Sequence, residues 1–380
     1  MDGHDEHPIL VVNPGSTTTK VALFMDDRQE REETLPAPER EPGEGVWAEF
    51  PLRLEAIRGW LSATGMDPSR LSAVVGRGGL LRPLEGGTWE VTEAMLADAR
   101  ANAQGEHASN LGCALARALA DLGEKERETG PAGAGREIPA FVVDPVATDE
   151  FQEVARLSGL AEIRRRSLSH ALSIHALVRE ACARDGRRVE ESRFVVAHLG
   201  GGISVCPVEG GRIVDANNAN SGGPFSPSRT GSLPVQELLD LAFSGAYTRK
   251  GLQGATLKGG GLMSYLGTAD AREVEGRIRE GDARAHLVYE AMAYQISKEI
   301  GAMATVLKGR VDRILLTGGL AGSELLTGWI RERVSFVAPV EVWPEVEEMR
   351  ALAAGALRVL RGEETAKRYV VEEGVVRPGR

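Results

Sequence analysis

Residues 9–25, ILVVNPGSTTTKVALFM, contain the first architectural signal in the chain. Four apolar residues lead into Asn13-Pro14-Gly15, and a run of hydroxyl side chains then leads into a second apolar segment. Apolar segments on both sides of a Pro-Gly breaker predict a strand, a tight polar turn and a returning strand. The backbone N–H groups of such a turn, and the hydroxyls beside them, are suited to binding phosphate oxygens.

Two more turns of this kind follow apolar segments in the second half of the chain. His198-Leu199-Gly200-Gly201-Gly202 follows residues 194–197, and Thr317-Gly318-Gly319-Leu320-Ala321-Gly322 follows residues 313–316. One such turn is usually a plain hairpin, whereas three indicate a phosphate-binding protein. No GxxxxGK[ST] motif occurs and no GxGxxG follows the first strand, which argues against a P-loop and a dinucleotide-binding unit. The candidate phosphate-binding or nucleotide-binding residues are Asn13, Gly15, Ser16, Thr17, Thr18, His198, Gly200, Gly201, Gly202, Gly318, Gly319 and Leu320.

The remaining patterns predict an α/β protein of two domains. Helices are predicted over 51–63, 106–122, 169–184, 283–308 and 347–362, and further short strands over 71–75, 139–143 and 340–343. Loops or irregular segments are predicted over 28–46, 123–138, 215–231 and 248–267. A polar stretch at 185–193 places the boundary between domains 8–186 and 187–363, with 364–380 as a tail. It stays open whether the last helix packs back on the first domain.

The composition limits the classes of partner. The 380 residues fit two domains, and 42% hydrophobic with 26% charged residues is ordinary for globular proteins. A net charge of −10 gives no overall attraction for nucleic acid or anionic membranes, so an anionic substrate needs local basic groups. Three cysteines without metal-ligand spacing indicate reduced thiols. The polar N-terminal residues and the lack of a long apolar segment predict a cytoplasmic protein.

Three charged residues stand where ligands are commonly bound. Arg77 lies between glycines after a predicted buried strand, and Arg229 lies in the loop 215–231. Asp144 stands where another strand ends, which is a common position for a functional carboxylate in open α/β sheets. The structural alternatives are two surface arginines and an Asp-Pro turn former. Arg82 is a weaker candidate near Arg77.

Six segments in this order resemble the acetate kinase family, and within it the butyrate kinase branch. They are NPGSTTTK at 13–20, VGRGGLLRP at 75–83, GEHASN at 105–110, HLGGG at 198–202, SRTG at 228–231 and LTGGL at 316–320. The resemblance covers about residues 8–363. It implies two duplicated domains like those of actin and hexokinase, with ribonuclease H-like mixed sheets flanked by helices and the nucleotide in the interdomain cleft.

The same resemblance implies a reaction. Butanoate and ATP would give butanoyl phosphate and ADP, reversibly, by direct in-line transfer with Mg²⁺, and the protein would be at least a homodimer. The alternatives are a shorter or branched acid such as isobutyrate, propionate or acetate, and a non-catalytic ATP-binding module. A sugar or glycerol kinase is a third alternative, but it would need a base beside its hydroxyl substrate. A carboxylate is already ionised at neutral pH and requires no base.

By resemblance, Arg77 and Arg229 match paired arginines that bind the carboxylate and the transferring phosphoryl group, for which planar guanidinium forks are suited. Asp144 matches a residue near the magnesium ion, and either Glu347 or Glu348 matches a magnesium-linked glutamate. Those two acids also fit the first turn of a helix, where the dipole favours negative charge.

His170 matches a histidine that hydrogen-bonds the phosphoryl group in transfer, and His175 is expected to be structural. Acetate kinases carry Asn where this chain has Gly201, and Phe-His-Gly-Thr-Ser-His where it has residues 168–175. Both departures favour the butyrate branch and a larger acyl pocket. The pocket candidates are Leu80, Arg82, His107 and Phe225.

Overall fold

The computed structural model describes residues 6–41, 43–129, 137–343, 346–372 and 375–379. The chain divides into two compact units, the first formed by Met1–Asp149 with Glu347–Arg380 and the second by Glu150–Val346. Both predicted limits of the second domain therefore need correction. Residues 150–186 belong to the second unit, and the last helix and the predicted tail belong to the first.

The strands form two sheets, one in each unit. They are β1 Pro8–Pro14, β2 Thr18–Met25, β3 Arg28–Pro36, β4 Ala73–Gly76, β5 Thr88–Glu90, β6 Ala140–Val143, β7 Arg193–Leu199, β8 Ile203–Glu209, β9 Arg212–Ile213, β10 Arg313–Thr317, β11 Val340–Val342, β12 Lys367–Glu372 and β13 Val375–Gly379. The first unit has the order β13-β12-β5-β6-β4-β1-β2-β3, and the second has β11-β10-β7-β8-β9. Parallel and antiparallel pairs occur in both, as predicted for mixed sheets.

Eleven α-helices surround these sheets in the described part of the chain. They are α1 Phe50–Thr64, α2 Glu93–Arg100, α3 Leu111–Thr129, α4 Ala171–Arg184, α5 Val235–Phe243, α6 Arg249–Leu257, α7 Gly261–Leu266, α8 Ala271–Arg279, α9 Ala283–Val306, α10 Glu324–Val334 and α11 Glu348–Leu360. None of the helices within the described ranges combines the length and apolar composition that a membrane crossing requires.

The first sheet begins with the predicted hairpin, which is confirmed. β1 and β2 pair antiparallel from Pro8↔Met25 to Pro14↔Thr19, because both carry β-branched and aliphatic residues that are buried. β1 also pairs parallel with β4, and β4 with β6, so Val12, Gly76 and Val142 are in register. Helices α3 and α11 contact these central strands.

The second sheet has apolar clusters on both faces. One cluster joins alternate β7 and β8 residues, such as Val195 and Val205, to α9 and α10. The other joins Phe194, Val196 and Cys206 to α4. This packing explains why residues 150–186 do not belong to the first unit, since α4 buries its apolar face on β7.

Four segments differ from the predicted loops and tail. β3 forms from charged residues because β2 supplies its hydrogen-bond partners and an edge strand tolerates charge. α3 continues to Thr129, beyond the predicted end at 122. α6 and α7 occupy most of 248–267, where the Thr248 hydroxyl caps α6 despite the glycines. β12 pairs with β5, so the C-terminal segment completes the first sheet.

Gly355 allows α11 to approach β6, and this contact gives a stability prediction. An added Cβ would lie 2.5 Å from Val143 Cγ2. Gly355→Ala is expected to lower the free energy of unfolding by about 1–2 kcal/mol, because overpacking outweighs the better helix propensity of alanine. The measurement is urea unfolding followed by circular dichroism.

The matched control is Gly59→Ala in α1 of the same unit, where an added Cβ meets nothing within 4 Å. This variant is expected to gain about 0.5–1 kcal/mol from helix propensity. Equal stability of the two variants would show that α11 is not packed on β6 through Gly355.

Candidate functional site

In the first unit, three predicted site residues lie at the carboxyl ends of neighbouring parallel strands. Asn13 and Arg77 directly follow the paired residues Val12 and Gly76, and Asp144 follows the last residue of β6. The carboxyl ends of parallel strands are where open α/β sheets bind ligands. The topology therefore brings these three residues to one edge of the first sheet.

Glu348, in the first turn of α11, contacts two of them. Asn13 Nδ2 donates to Glu348 Oε2 at 2.9 Å, and Arg77 Nη1 donates to Glu348 Oε1 at 2.6 Å. Glu347 is instead the residue that precedes α11, and its carboxylate lies 3.6 Å from Arg350 Nε. Of the two acids that the sequence left open, Glu348 is thus the one beside Asn13 and Arg77.

Asp144 is held rigidly at the end of β6. Its side chain is 1% exposed, and Oδ1 accepts from the Gly87 backbone N–H at 2.7 Å. Its φ of +40° is uncommon for a residue other than glycine, although aspartate is among those that adopt it. Such a conformation persists only when the surrounding structure fixes it, and it often marks a functional position.

Glycines bring the Arg77 turn against the start of α3. A Cβ on Gly76 would lie 2.1 Å from the Gly112 carbonyl oxygen, and one on Gly79 would lie 2.2 Å from Asn110 Oδ1. Asn110 Oδ1 also accepts from the Leu80 N–H at 2.8 Å. The glycines on both sides of the arginine are therefore required by close packing, and Asn110 fixes the turn.

The pocket candidates of this unit differ in their surroundings. Leu80 and His107 are partly accessible, and burial, then the positive charge of Arg77, lowers the pKa of His107. His107 Nδ1 accepts from the Ser109 N–H at 3.2 Å and caps the turn before α3. Arg82 Nε donates to Asp98 at 2.9 Å, and the same oxygen accepts from Tyr369 at 2.8 Å. Arg82 thus forms an ion pair with α2, and the Tyr369 hydroxyl joins the same aspartate to β12.

In the second unit, two histidines lie face to face. The His170 and His198 rings have centroids 3.9 Å apart and planes inclined by 13°. His198, the penultimate residue of β7, lies opposite Ser204 of β8, and Ser204 Oγ lies 2.9 Å from His170 Nδ1. Ser204 is fully buried, so one hydroxyl fixes the ring of His170 above that of His198.

Arg229 is positioned by the second glycine turn. A Cβ on Gly202 would lie 2.4 Å from Arg229 Nη1, so a larger residue there would displace the guanidinium from its present position. Ser226 Oγ donates to the Gly201 carbonyl at 2.6 Å and accepts from the Arg229 N–H at 3.1 Å. Burial lowers the pKa of the Arg229 guanidinium, which is half-buried in this loop. The loop that carries Arg229 and the glycine turn at 200–202 are therefore held together by hydrogen bonds.

The third turn lies beside the second. Thr317 of β10 is in parallel register with His198, and Gly318 follows with a φ of +89°. A Cβ on Gly318 would lie 2.6 Å from the Leu199 carbonyl oxygen. Gly319 and Leu320 continue in a short 3₁₀-helix. Phe225 is buried against the core of this unit, with its ring 6.4 Å from that of Tyr265.

Curated relatives match this chain over nearly its full length. A probable butyrate kinase 2 from Caldanaerobacter subterraneus subsp. tengcongensis is 50% identical, covering 95% of this chain and 99% of its own. A probable butyrate kinase from Listeria monocytogenes is 46% identical, with 95% of this chain and 99% of its own covered.

The chain belongs to the acetokinase family. The model of that family matches residues 159–334. Among solved structures, acetate kinase from Porphyromonas gingivalis has a TM-score of 0.74 at 19% identity, covering 93% of this chain and all 100% of its own. A propionate kinase from Francisella tularensis has a TM-score of 0.69 at 16% identity, with 92% and 98% covered. These structures confirm the predicted acetate kinase-like fold.

The sequence motifs do not reveal two supporting residues of this acetokinase-family chain. Asn110 is the last residue of the GEHASN segment, and no role was predicted for it. Ser204 has the position of an ordinary residue of β8. Counting the register of the predicted hairpin would have placed Ser204 opposite His198. The contact of Ser204 with His170 joins segments 34 residues apart, so it could not be counted in that way.

The acidic residues of the first unit fit the donor chemistry of Mg²⁺. Asp144 and Glu348 offer carboxylate oxygens, and Mg²⁺ commonly takes one or two carboxylates together with water and substrate phosphates. No group of three or more His, Cys, Asp or Glu side chains that could hold a metal occurs within the described ranges. The carboxylates of Asp144 and Glu348 match the donor chemistry of a metal that is shared with substrate phosphates.

Proposed function

We propose that this chain transfers a phosphoryl group between ATP and butyrate, forming butyryl phosphate and ADP reversibly. The observation that carries the proposal is the 50% identity, over 95% of the chain, to a relative named as a probable butyrate kinase. The chemistry of the first unit supports it. Arg77 Nε is buried and has no hydrogen-bond acceptor among the described residues, so an oxygen of an anionic ligand would satisfy it.

The reaction needs positive charge more than it needs a base. Butyrate is ionised at neutral pH, so it attacks phosphorus without losing a proton. Two anionic reactants repel each other, and charge on the transferring group grows on its equatorial oxygens. We assign Arg77 and Arg229 to the carboxylate and the phosphoryl oxygens, since guanidinium groups bind both by paired donors. Mg²⁺, when bound, would offset charge on the phosphates.

The other candidate residues would bind and orient the nucleotide, the metal and the acid. We assign the three turns at residues 13–19, 198–202 and 317–320 to the phosphates and nucleotide, because glycine-rich backbone donates N–H groups at close range. Asp144 and Glu348 would hold the metal. His170 would hydrogen-bond the phosphoryl group, with its ring held by Ser204. Leu80 and His107 lie near the Arg77 turn and are proposed for the acyl pocket.

The substrate is tested by trapping acyl phosphate with hydroxylamine while the acid is varied from acetate to valerate. Each methylene buried in an apolar pocket contributes about 0.8 kcal/mol, so kcat/KM is expected to rise about fourfold per methylene up to butyrate. Glucose and glycerol are run in parallel. ATP consumption without hydroxamate, or phosphorylation of glucose, would show that the acceptor is not a carboxylic acid.

The arginines are tested by replacing each one separately. Arg77→Ala and Arg229→Ala are each expected to lower kcat by roughly 10²-fold or more, as loss of a preorganised donor to a transition state does. Glu348→Gln is expected to lower activity, and Glu347→Gln is its control because the Glu347 carboxylate is 47% exposed and faces Arg350. Near-normal rates in both arginine variants would contradict the assignment.

We further propose that a surface of the second unit pairs two copies of this chain. α5 has no buried residue, and a run of apolar side chains on and beside it is at least 38% exposed. These are Leu233, Val235, Leu239, Leu241, Phe243 and Tyr247. Contiguous exposed apolar surface commonly marks an interface. α5 carries Glu237 and Asp240 whereas α6 begins with Arg249 and Lys250, so a two-fold arrangement that sets α5 of one copy against α6 of the other would bring opposite charges together.

Phe243→Asp tests this surface by light scattering coupled to size exclusion. The wild-type chain is expected to be a dimer and the variant a monomer, because a carboxylate would be buried in the interface. Phe336→Asp is the matched control, since Phe336 is 85% exposed and Phe243 is 86% exposed in the same unit. If the Phe243→Asp variant is still a dimer, the α5 surface is not the interface between the two copies.

A further inference from the structure

Arg53 of α1 lies beneath the first phosphate turn and is 1% exposed. Its Nη2 donates to the Gly15 carbonyl at 2.8 Å, and its Nη1 donates to the Thr18 carbonyl at 3.1 Å and to the Thr19 hydroxyl. Its Nε donates to Glu49 Oε2 at 2.7 Å, and Nη2 lies 2.5 Å from the same oxygen. These contacts match the five N–H donors of a guanidinium group.

The contacts determine which way the turn faces. The Gly15 N–H also donates to the Thr18 carbonyl at 2.7 Å, so the turn is closed on the side of Arg53. In a trans peptide the C=O and N–H point in opposite directions. The Gly15 carbonyl and the Ser16 N–H belong to one peptide, so the Ser16 N–H points away from the Arg53 guanidinium that donates to this carbonyl. Ser16 and Thr17 are accordingly exposed, whereas Thr19 is buried.

The charge beneath the turn is positive. Glu49 is 3% exposed and pairs with Arg53 and also with Arg40, whose Nε lies 2.6 Å from Oε1. Two guanidinium groups and one carboxylate leave one positive charge in this cluster. A positive charge behind outward-facing N–H groups favours an anion in front of them.

We propose that Arg53 is a positioning residue for the triphosphate of the nucleotide. It fixes the carbonyl oxygens of residues 15 and 18 inward, which leaves the opposite side of the turn to donate to phosphate. Arg53 itself does not touch the ligand. The choice of ATP as that ligand rests on the proposed function.

The experiment measures ATP binding by calorimetry without any acid, together with KM for ATP and for butyrate. Arg53→Lys keeps the charge but loses the planar fork, so it cannot make the five contacts. The dissociation constant and KM for ATP are expected to rise roughly tenfold or more, with the KM for butyrate changed less than about twofold. If Arg53 had only a structural role, its replacement would weaken the binding of ATP and of butyrate alike.

Thr19→Val removes only the hydroxyl that accepts from Arg53 Nη1. It is expected to raise the ATP dissociation constant about fivefold, and Thr19→Ser is expected to restore wild-type binding. The control is Arg117→Lys, because Arg117 pairs with Asp121 and Glu124 on α3 of the same unit. Its ATP binding is expected to be unchanged. Thermal unfolding of each variant identifies any that fail to fold.

The outcomes separate this inference from the proposed function. Unchanged ATP binding in folded Arg53→Lys overturns the inference, and so does an equal loss for ATP and butyrate. If Arg53→Lys does not fold, wild-type ATP binding in Thr19→Val overturns it. A wild-type chain that binds ATP but forms no acyl phosphate overturns only the choice of substrate. A wild-type chain that binds no ATP overturns both.

Discussion

The parallel pairing of β1, β4 and β6 is the constraint on which the first unit depends. Because Val12, Gly76 and Val142 are in register, the residues after them reach one sheet edge although they are up to 131 positions apart in sequence. The close approach of Gly76 and Gly112 permits α3 to lie against this edge. α11 then places Glu348 against Asn13 and Arg77. A change of register by one residue would move every one of these side chains to the opposite face.

The second unit obtains the same precision from a hairpin and one glycine contact. The β7–β8 register sets Ser204 opposite His198, and the missing side chain of Gly202 makes the space that Arg229 occupies. The strand register and the glycine contact both leave these side chains little conformational freedom. The polar groups are then fixed by buried hydrogen bonds, of which the Ser204–His170 contact is the clearest. Buried polar contacts of this kind specify one arrangement, because the alternative leaves a donor or acceptor unsatisfied.

The sequence predicted the parts of the fold that local patterns encode. The hairpin at residues 9–25 and the helix over 51–63 were recognisable from apolar spacing, and the acetokinase family from six short segments. The prediction was wrong where tertiary partners override composition. β3 is a strand only because β2 lies beside it, and β12 is ordered by its pairs with β5 and β13 rather than by its own residues. The unit boundary at Asp149 could not be read from composition, because it depends on which sheet α4 covers.

Of the candidate site, too, the sequence predicted what local patterns encode and missed what depends on tertiary contacts. Arg77, Arg229 and Asp144 were identified as candidates by their position after strands or in a glycine-rich loop. The choice between Glu347 and Glu348 required the direction of the first turn of α11, which adjacent identical residues cannot reveal. Arg53 did leave a sequence signal. It lies four residues before Ile57 on the apolar face of a predicted helix, with Glu49 a further turn before it, and a charge there demands a buried partner.

Arg53 and Arg77 show how two arginines of one unit, each with a buried Nε, can be told apart by the acceptors of their N–H groups. Arg53 satisfies its N–H groups within the protein, so adding a ligand would gain nothing there. Arg77 makes one ion pair to Glu348 and keeps a buried Nε that no described residue accepts from. An unsatisfied buried donor costs about 1–3 kcal/mol of folding free energy. Natural selection retains such a cost where a bound anion removes it, so we expect the arginine with the unmet donor to contact the ligand and the saturated arginine to shape the turn.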